Sequence, residues 1–224
     1  MSIRKRFAIA DDHEYWRKTL VEIINNHFTD ADIVVEASNG IQLIDRLSAV
    51  GKELAPSLVI LDLQMPVLNG FETARWLHFN RPEMKIVALS LRQDERSIIR
   101  LLEYGVLGFM HKKIFGQDLI AGIQTVLKGE FYFSAFKDPQ GKDLHLEIDS
   151  ILKTKDILRR WDSLPQQAQK FARLCCSEMK YKDMAKIMKV DVTTITSLAL
   201  KTFAHFEVSE RISLVLLVYK NNLI

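Results

Sequence analysis

This chain of 224 residues predicts two folds in tandem: a doubly wound α/β half with a five-stranded parallel sheet, then a small all-helical half. Three features predict it. Short runs rich in Val and Ile alternate with longer segments of helical period through about residue 128. The stretch LVIL at 58–61 is apolar at every position, as a strand covered on both faces must be. Beyond residue 134 the alternation stops, and only helical periodicity resumes near residue 160. The charge changes with the pattern. Residues 1–150 carry 18 Lys+Arg against 21 Asp+Glu, and residues 151–224 carry 13 against 7. A slightly acidic front and a basic rear point to two different jobs.

Strands are expected at 6–10, 33–37, 58–62, 85–90 and 107–111. Helices are expected after each, at 14–28, 39–50, 70–80, 94–104 and 116–128. Five β-then-α units make a parallel sheet with helices on both faces, and they fit the flavodoxin-like order 2-1-3-4-5. From 134 to 160 the pattern weakens around the turn signal Pro139-Gln140-Gly141, with some helix between Leu144 and Leu158. Four helices follow, at 164–177, 181–188, 192–206 and 209–221, and Ser163 with Gln166 reads as a capping box for the first. The expected organisation is one domain at 1–134, a linker at 135–160 and a second domain at 161–224.

Composition excludes several classes. Hydrophobic residues are 48% and charged residues 26%, while Gly (9) and Pro (5) are too scarce for a disordered chain. The longest apolar run, Leu214–Tyr219, is too short to cross a bilayer. The start MSIRKRFAIADDHE has too brief an apolar run for a signal peptide. Cys175 and Cys176 are neighbours and cannot form a relaxed disulfide with each other. The six histidines show no metal-ligand spacing. A soluble, reduced, cytoplasmic protein with no membrane association is expected.

In an open parallel sheet the chemistry gathers at the carboxyl ends of the strands. The first run ends in Asp11-Asp12, the third in Asp62, the fourth in Ser90, and the fifth leads into Lys112. Three clustered carboxylates repel one another and call for a hard divalent cation such as Mg2+. With the cation in place one carboxylate can attack phosphorus. Asp62 caps the central strand and is the nucleophile candidate, with Asp11 and Asp12 as metal ligands. Lys112 can balance charge on phosphoryl oxygens, and Ser90 can donate a hydrogen bond to one of them.

On these residues the first half resembles the receiver domain of two-component response regulators. The resemblance is carried by Asp11-Asp12, VILDLQMPVLNGFE around Asp62, VALSL around Ser90 and GVLGFMHK ending at Lys112. It implies that a histidine kinase phosphohistidine gives its phosphoryl group to Asp62. It also implies Mg2+ at Asp11, Asp12, Asp62 and the backbone carbonyl of Gln64, and a switch pair formed by Ser90 and Phe109. Phe109 replaces the commoner tyrosine, so a ring hydroxyl is missing, but the change of rotamer needs only the ring. Pro66 and Asn69-Gly70 are expected to shape the loop after Asp62.

The second half resembles the LuxR-type helix-turn-helix of NarL/FixJ regulators, through LPQQAQKFARL at 164–174, YKDMAKIMKV at 181–190, TTI at 193–195 and YKNNLI at 219–224. The resemblance implies DNA as a partner, transcription regulation as output and a homodimer on activation. The helix at 192–206 would enter the major groove. At 100° steps Ile195, Ala199, Thr202 and Phe206 share its core side. Thr193, Thr196, Ser197, Leu200, Lys201 and Ala204 face outward, with one cation among them. Candidate DNA contacts are Lys182, Thr193, Thr194, Thr196, Ser197 and Lys201. Lys180, Lys186 and Lys189 are further candidates for phosphate. Relatives commonly carry lysine where Thr196 stands, histidine at Leu198, asparagine at Lys201, and glycine at Glu178 and Glu207. Two outputs stay open: DNA-binding regulation, and a phosphorylation-controlled protein contact in which the helix no longer reads DNA. No catalytic output domain is visible, so an enzyme is not expected.

Overall fold

The computed structural model describes residues 5–28, 30–91, 95–114, 116–134, 157–221 and 223. Most of the expected linker, 135–156, lies outside the described residues, as does the turn signal at 139–141. The chain divides into two compact units, residues 1–93 with 104–134, and residues 94–103 with 135–224.

The first unit is built on β1 (Lys5–Ala10), α1 (Glu14–His27), β2 (Ala31–Ala37), α2 (Gly40–Ala49), β3 (Leu58–Asp62), α3 (Gly70–Asn80) and β4 (Lys85–Ser90). It continues after helix α4 (Glu95–Glu103) with β5 (Gly108–His111), α5 (Gln117–Leu127) and β6 (Tyr132–Phe133). By contact, α4 falls with the second unit. The strands run in the order β2-β1-β3-β4-β5-β6, and every pairing is parallel. Five of the strands follow the expected order 2-1-3-4-5. The sixth is an addition that the sequence did not announce, because two aromatic residues are too short a run to carry a period. Tyr132–Phe133 pairs with Gly108 and Phe109 on the outer edge of β5.

Burial explains the order. All five residues of β3 are buried, as its unbroken apolar run requires of a central strand. Phe7, Ile9, Leu58, Ile60, Val87, Leu89 and Met110 from four neighbouring strands join Leu20 and Ile24 of α1 and Leu119 and Ile123 of α5 in one core. Asn39 and Asn69 cap α2 and α3, each side chain accepting a backbone N–H three residues on at 3.0 Å. These caps set where the loops at the carboxyl edge end.

The second unit contains α6 (Ile157–Asp162), α7 (Gln166–Cys175), α8 (Tyr181–Met188), α9 (Val192–Phe206) and α10 (Arg211–Lys220). Helix α6 falls mostly in the stretch expected to be linker. Ser163 does not cap α7: its hydroxyl donates to the Arg160 carbonyl at 2.8 Å, closing α6, and Pro165 stands at the cap with an extended backbone. A proline there sets φ in advance and leaves no role for the capping box.

Phe171 meets Tyr181 and Phe203 at ring distances of 5.8 and 6.4 Å, and Trp161 meets Phe206 at 6.5 Å. Every residue from Ile212 to Val218 is buried, so the apolar last helix is a core element of the unit. Arg211 ties its start to α7, donating from Nε and Nη2 to the Cys175 carbonyl at 3.1 and 2.9 Å. Both cysteines are free and buried, and burial pushes the Cys176 thiol up to about 12, as expected of packing residues. Lys189 and Glu207, which end α8 and α9, have φ of 56° and 58°, a region that favours glycine. At Glu178 no positive φ occurs, so the glycine common in relatives meets no backbone need there.

Candidate functional site

The carboxyl ends of β1, β3 and β5 bring three of the expected residues into contact. Lys112, just beyond β5, places Nζ 2.8 Å from Oδ2 of Asp11 and 2.7 Å from Oδ2 of Asp62. Both carboxylates are about 99% buried. The other oxygens are held by backbone: Oδ1 of Asp62 accepts from Gln64 N at 3.0 Å, and Oδ1 of Asp11 accepts from His13 N at 2.9 Å. Asp12 is more open, and its Oδ1 lies 2.8 Å from His13 Nδ1. Burial pushes the Asp62 carboxyl up to about 6, with Asp11 adding to it, against the hydrogen bonds from Lys112 and Gln64 N. Burying a carboxylate beside another costs more than one ammonium returns.

The loop after Asp62 is set by close approach. Gly70 N donates to the Leu63 carbonyl at 3.2 Å. A Cβ on Gly70 would stand 2.2 Å from the carbonyl oxygen of Asp62 and 2.7 Å from Cα of Leu63. Gly70→Ala should therefore displace the backbone of the candidate acceptor. A loss of about 3 kcal/mol in urea unfolding is expected, with weaker beryllofluoride uptake. Leu68 N donates to the Pro66 carbonyl at 2.8 Å, which makes Val67, at φ 68° and 82% exposed, the centre of a strained three-residue turn.

Ser90 is buried at the end of β4, and its carbonyl accepts from Lys112 N at 2.8 Å. Phe109 is fully buried on β5, where it pairs with Ala88, two register steps before the Ser90–His111 pair. The expected switch pair thus lies on adjacent paired strands. Gln64, two residues beyond Asp62, is exposed.

Two nearby residues escaped the sequence reading. No histidine pair stands at ligand spacing in the sequence, yet Asp11, Asp12, His13 and Asp62 offer ligand atoms that all lie within 4.8 Å of one another. Its adjacency to the acidic pair was the available signal. Arg17, one turn into α1, donates from Nη1 to the Asp11 carbonyl at 2.7 Å and reaches Glu36 with Nε at 3.6 Å.

On α9 the outward residues are where helical phase puts them. Thr193, Thr194, Thr196, Ser197, Lys201 and Ala204 are exposed, Leu200 is 66% exposed, and Ile195, Ala199, Thr202 and Phe206 are buried. Lys182, Lys186 and Lys189 are exposed around α8. Asp191 caps α9: its Oδ1 accepts from the Thr193 hydroxyl and from Thr194 N, both at 2.6 Å. These bonds hold its carboxyl at about 2, a fixed negative charge at the start of the helix.

A parallel sheet that gathers buried carboxylates and a lysine on its carboxyl edge, followed in the chain by a helical unit, describes a response regulator. The profile of the response regulator receiver domain matches residues 7–124, just over half the chain, and the protein belongs to that family. The response regulator GacA of Pseudomonas protegens is 22% identical over 219 residues, covering 98% of this chain and 97% of that protein. The transcriptional regulatory protein LnrK of Bacillus subtilis is 27% identical over 124 residues, 55% of this chain, which spans 54% of LnrK in that match. A structure of two RcsB dimers bound to two parallel DNAs superposes over 97% of this chain and 99% of that one. Its TM-score is 0.53 at 18% identity, a likeness of fold. Among the described residues no helix is long and apolar enough to cross a membrane.

Proposed function

We propose that Asp62 accepts a phosphoryl group from a phosphohistidine of a histidine kinase, and that the charge placed there controls transcription through the helical unit in the cytoplasm. The observation that carries the first part is the bridge from Lys112 to both Asp11 and Asp62. Three carboxylates against one ammonium leave net negative charge in a buried pocket, and this fits a divalent cation with oxygen ligands. Asp11, Asp12, Asp62 and the Gln64 carbonyl would hold Mg2+. When bound, the ion neutralises phosphoryl oxygens and lowers the barrier to attack.

The residues of the chain do the rest. A carboxylate oxygen of Asp62 attacks phosphorus, the P–N bond of the donor breaks, and its imidazole leaves with the bonding pair. Lys112 Nζ, already 2.7 Å from that carboxylate, stays within reach of the new phosphoryl oxygens. Ser90 turns toward them, and Phe109 moves into the space that Ser90 leaves. The phosphoryl group adds roughly one to two negative charges. Its interactions differ between the two arrangements, so the population shifts. No chemistry beyond phosphoryl transfer to Asp62 and its hydrolysis is assigned, and the output is regulatory.

DNA is the proposed partner of the helical unit, in a homodimer formed on activation. It is supported by the likeness of fold to RcsB, which has been solved bound to DNA, and by the exposed lysines around α8. A second reading, a protein partner, is favoured by the outward face of α9, where Val192 and Leu200 are 43% and 66% exposed beside the ionised Asp191. The test is binding of the full-length protein to its own upstream DNA and to unrelated DNA. It is run with and without beryllofluoride and Mg2+, at two salt concentrations. Specific binding that strengthens with beryllofluoride and falls steeply with salt supports the DNA reading. Background binding in both states assigns the helical unit to a protein partner.

A further inference from the structure

We propose that His13 supplies an imidazole nitrogen to the cation pocket and makes it select Mn2+ and other borderline divalent ions over Mg2+. This rests on the reading of the pocket as the divalent site of phosphoryl transfer. The backbone of His13 is fixed at the lip, its N–H donating to Asp11 Oδ1 at 2.9 Å. Its Nδ1 lies 2.8 Å from Asp12 Oδ1 and 3.5 Å from Asp11 Oδ1. An octahedral ion with bonds of about 2.1 Å sets neighbouring ligands about 3.0 Å apart and opposite ones about 4.2 Å apart. The ring nitrogen therefore stands within about 0.5 Å of ligand spacing beside the two carboxylates, and the ligand atoms of all four residues lie within 4.8 Å of one another, so side-chain rotation of about 0.6 Å closes the set on one ion.

The chemistry of the donors gives the selectivity. Asp11, Asp12 and Asp62 alone are hard oxygen ligands that suit Mg2+. A neutral imidazole adds little for Mg2+ and more for Mn2+ and Co2+, in the order of rising affinity for nitrogen. His13 precedes the first helical residue, Glu14, and its side chain is 69% exposed, so the ring turns at the pocket mouth without leaving a packed position. The same contact with Asp12 also fits a purely positioning hydrogen bond. A glutamine can mimic that bond but brings no imidazole.

The test is direct binding of Mg2+, Mn2+ and Co2+ to the full-length protein and to His13→Ala and His13→Gln. Mn2+ is followed by electron paramagnetic resonance, and Mg2+ and Co2+ by competition against it. Both variants should keep Mg2+ affinity within about twofold, lose about tenfold for Mn2+ and lose more for Co2+. Mn2+ bound to the unaltered protein should show a nitrogen hyperfine coupling that both variants lack. Unchanged Mn2+ affinity in His13→Ala, no nitrogen coupling, or full recovery in His13→Gln would overturn the assignment. Mg2+-dependent beryllofluoride binding, measured alongside, reports on the pocket itself. If it persists while Mn2+ ignores His13, only the ligand role fails; if it is absent, the phosphoacceptor reading fails.

Discussion

Asp62→Asn should lose all uptake of phosphoryl from acetyl phosphate and all Mg2+-dependent beryllofluoride binding, and should be more stable than the parent protein without metal at pH 8. The two effects have one origin. Asp62 is 1% exposed, and burial followed by the counteracting bonds from Lys112 and Gln64 N leaves its carboxyl at about 6. The value lies above the ordinary 3.8, so the folded state favours the protonated form. The contribution to stability is fully present below about pH 4 and is lost as pH rises through about 6. A shift of that size is of order 3 kcal/mol. Asparagine carries no charge to desolvate, and Asp11 still satisfies Lys112. Urea unfolding at pH 5 and pH 8 checks this: the gap between parent and variant should open at the higher pH. A variant less stable than the parent at pH 8 would show that the ionised side chain is fully compensated.

Lys112→Met should be the most damaging single change in the pocket. It removes the ammonium that bridges two buried carboxylates and leaves both charges facing each other. Breaking a buried ion pair from one side costs roughly 3–5 kcal/mol, because the remaining charge is desolvated and unmatched. The loss should be largest at pH 8 without metal. It should shrink as the Asp62 carboxyl takes up its proton toward pH 5, and shrink again with millimolar Mg2+. Adding Asp62→Asn to Lys112→Met should recover much of the loss, since neighbours in one network are not additive. Thermal unfolding of the two single variants and the double variant, each with and without Mg2+, measures the coupling. Additive effects would mean that Lys112 and Asp62 are energetically independent despite their 2.7 Å contact.

Much of the site could be read in one dimension because a parallel strand delivers its last residue to a known edge. Asp11, Asp62, Ser90 and Lys112 were legible for that reason alone, and the burial of β3 follows from its five apolar or terminal positions. The phase of α9 was legible because a rigid 100° step sorts Ile195 and Phe206 from Thr193 and Lys201 without any tertiary knowledge. His13 was not legible, since sequence spacing rules look for ligands on one helix face, and this ring reaches the pocket from a cap position. The sixth strand and helix α6 are each too short to show a period in the sequence.

The sequence by itself determined the two architectures, the order of the first five strands, the residues at the carboxyl edge and the weakly charged outer face of α9. These depend on local period and on strand direction, which neighbouring residues encode. Only the tertiary structure decided that Lys112 holds two carboxylates at once, that Asp62 is desolvated enough to stand near 6, that Gly70 is pressed against the acceptor's own carbonyl, and that the last helix is buried from Ile212 to Val218. Each of these depends on distances between segments far apart in the chain, and so on how closely the packed elements approach. Periodicity records which face a residue takes, but carries no information about that separation.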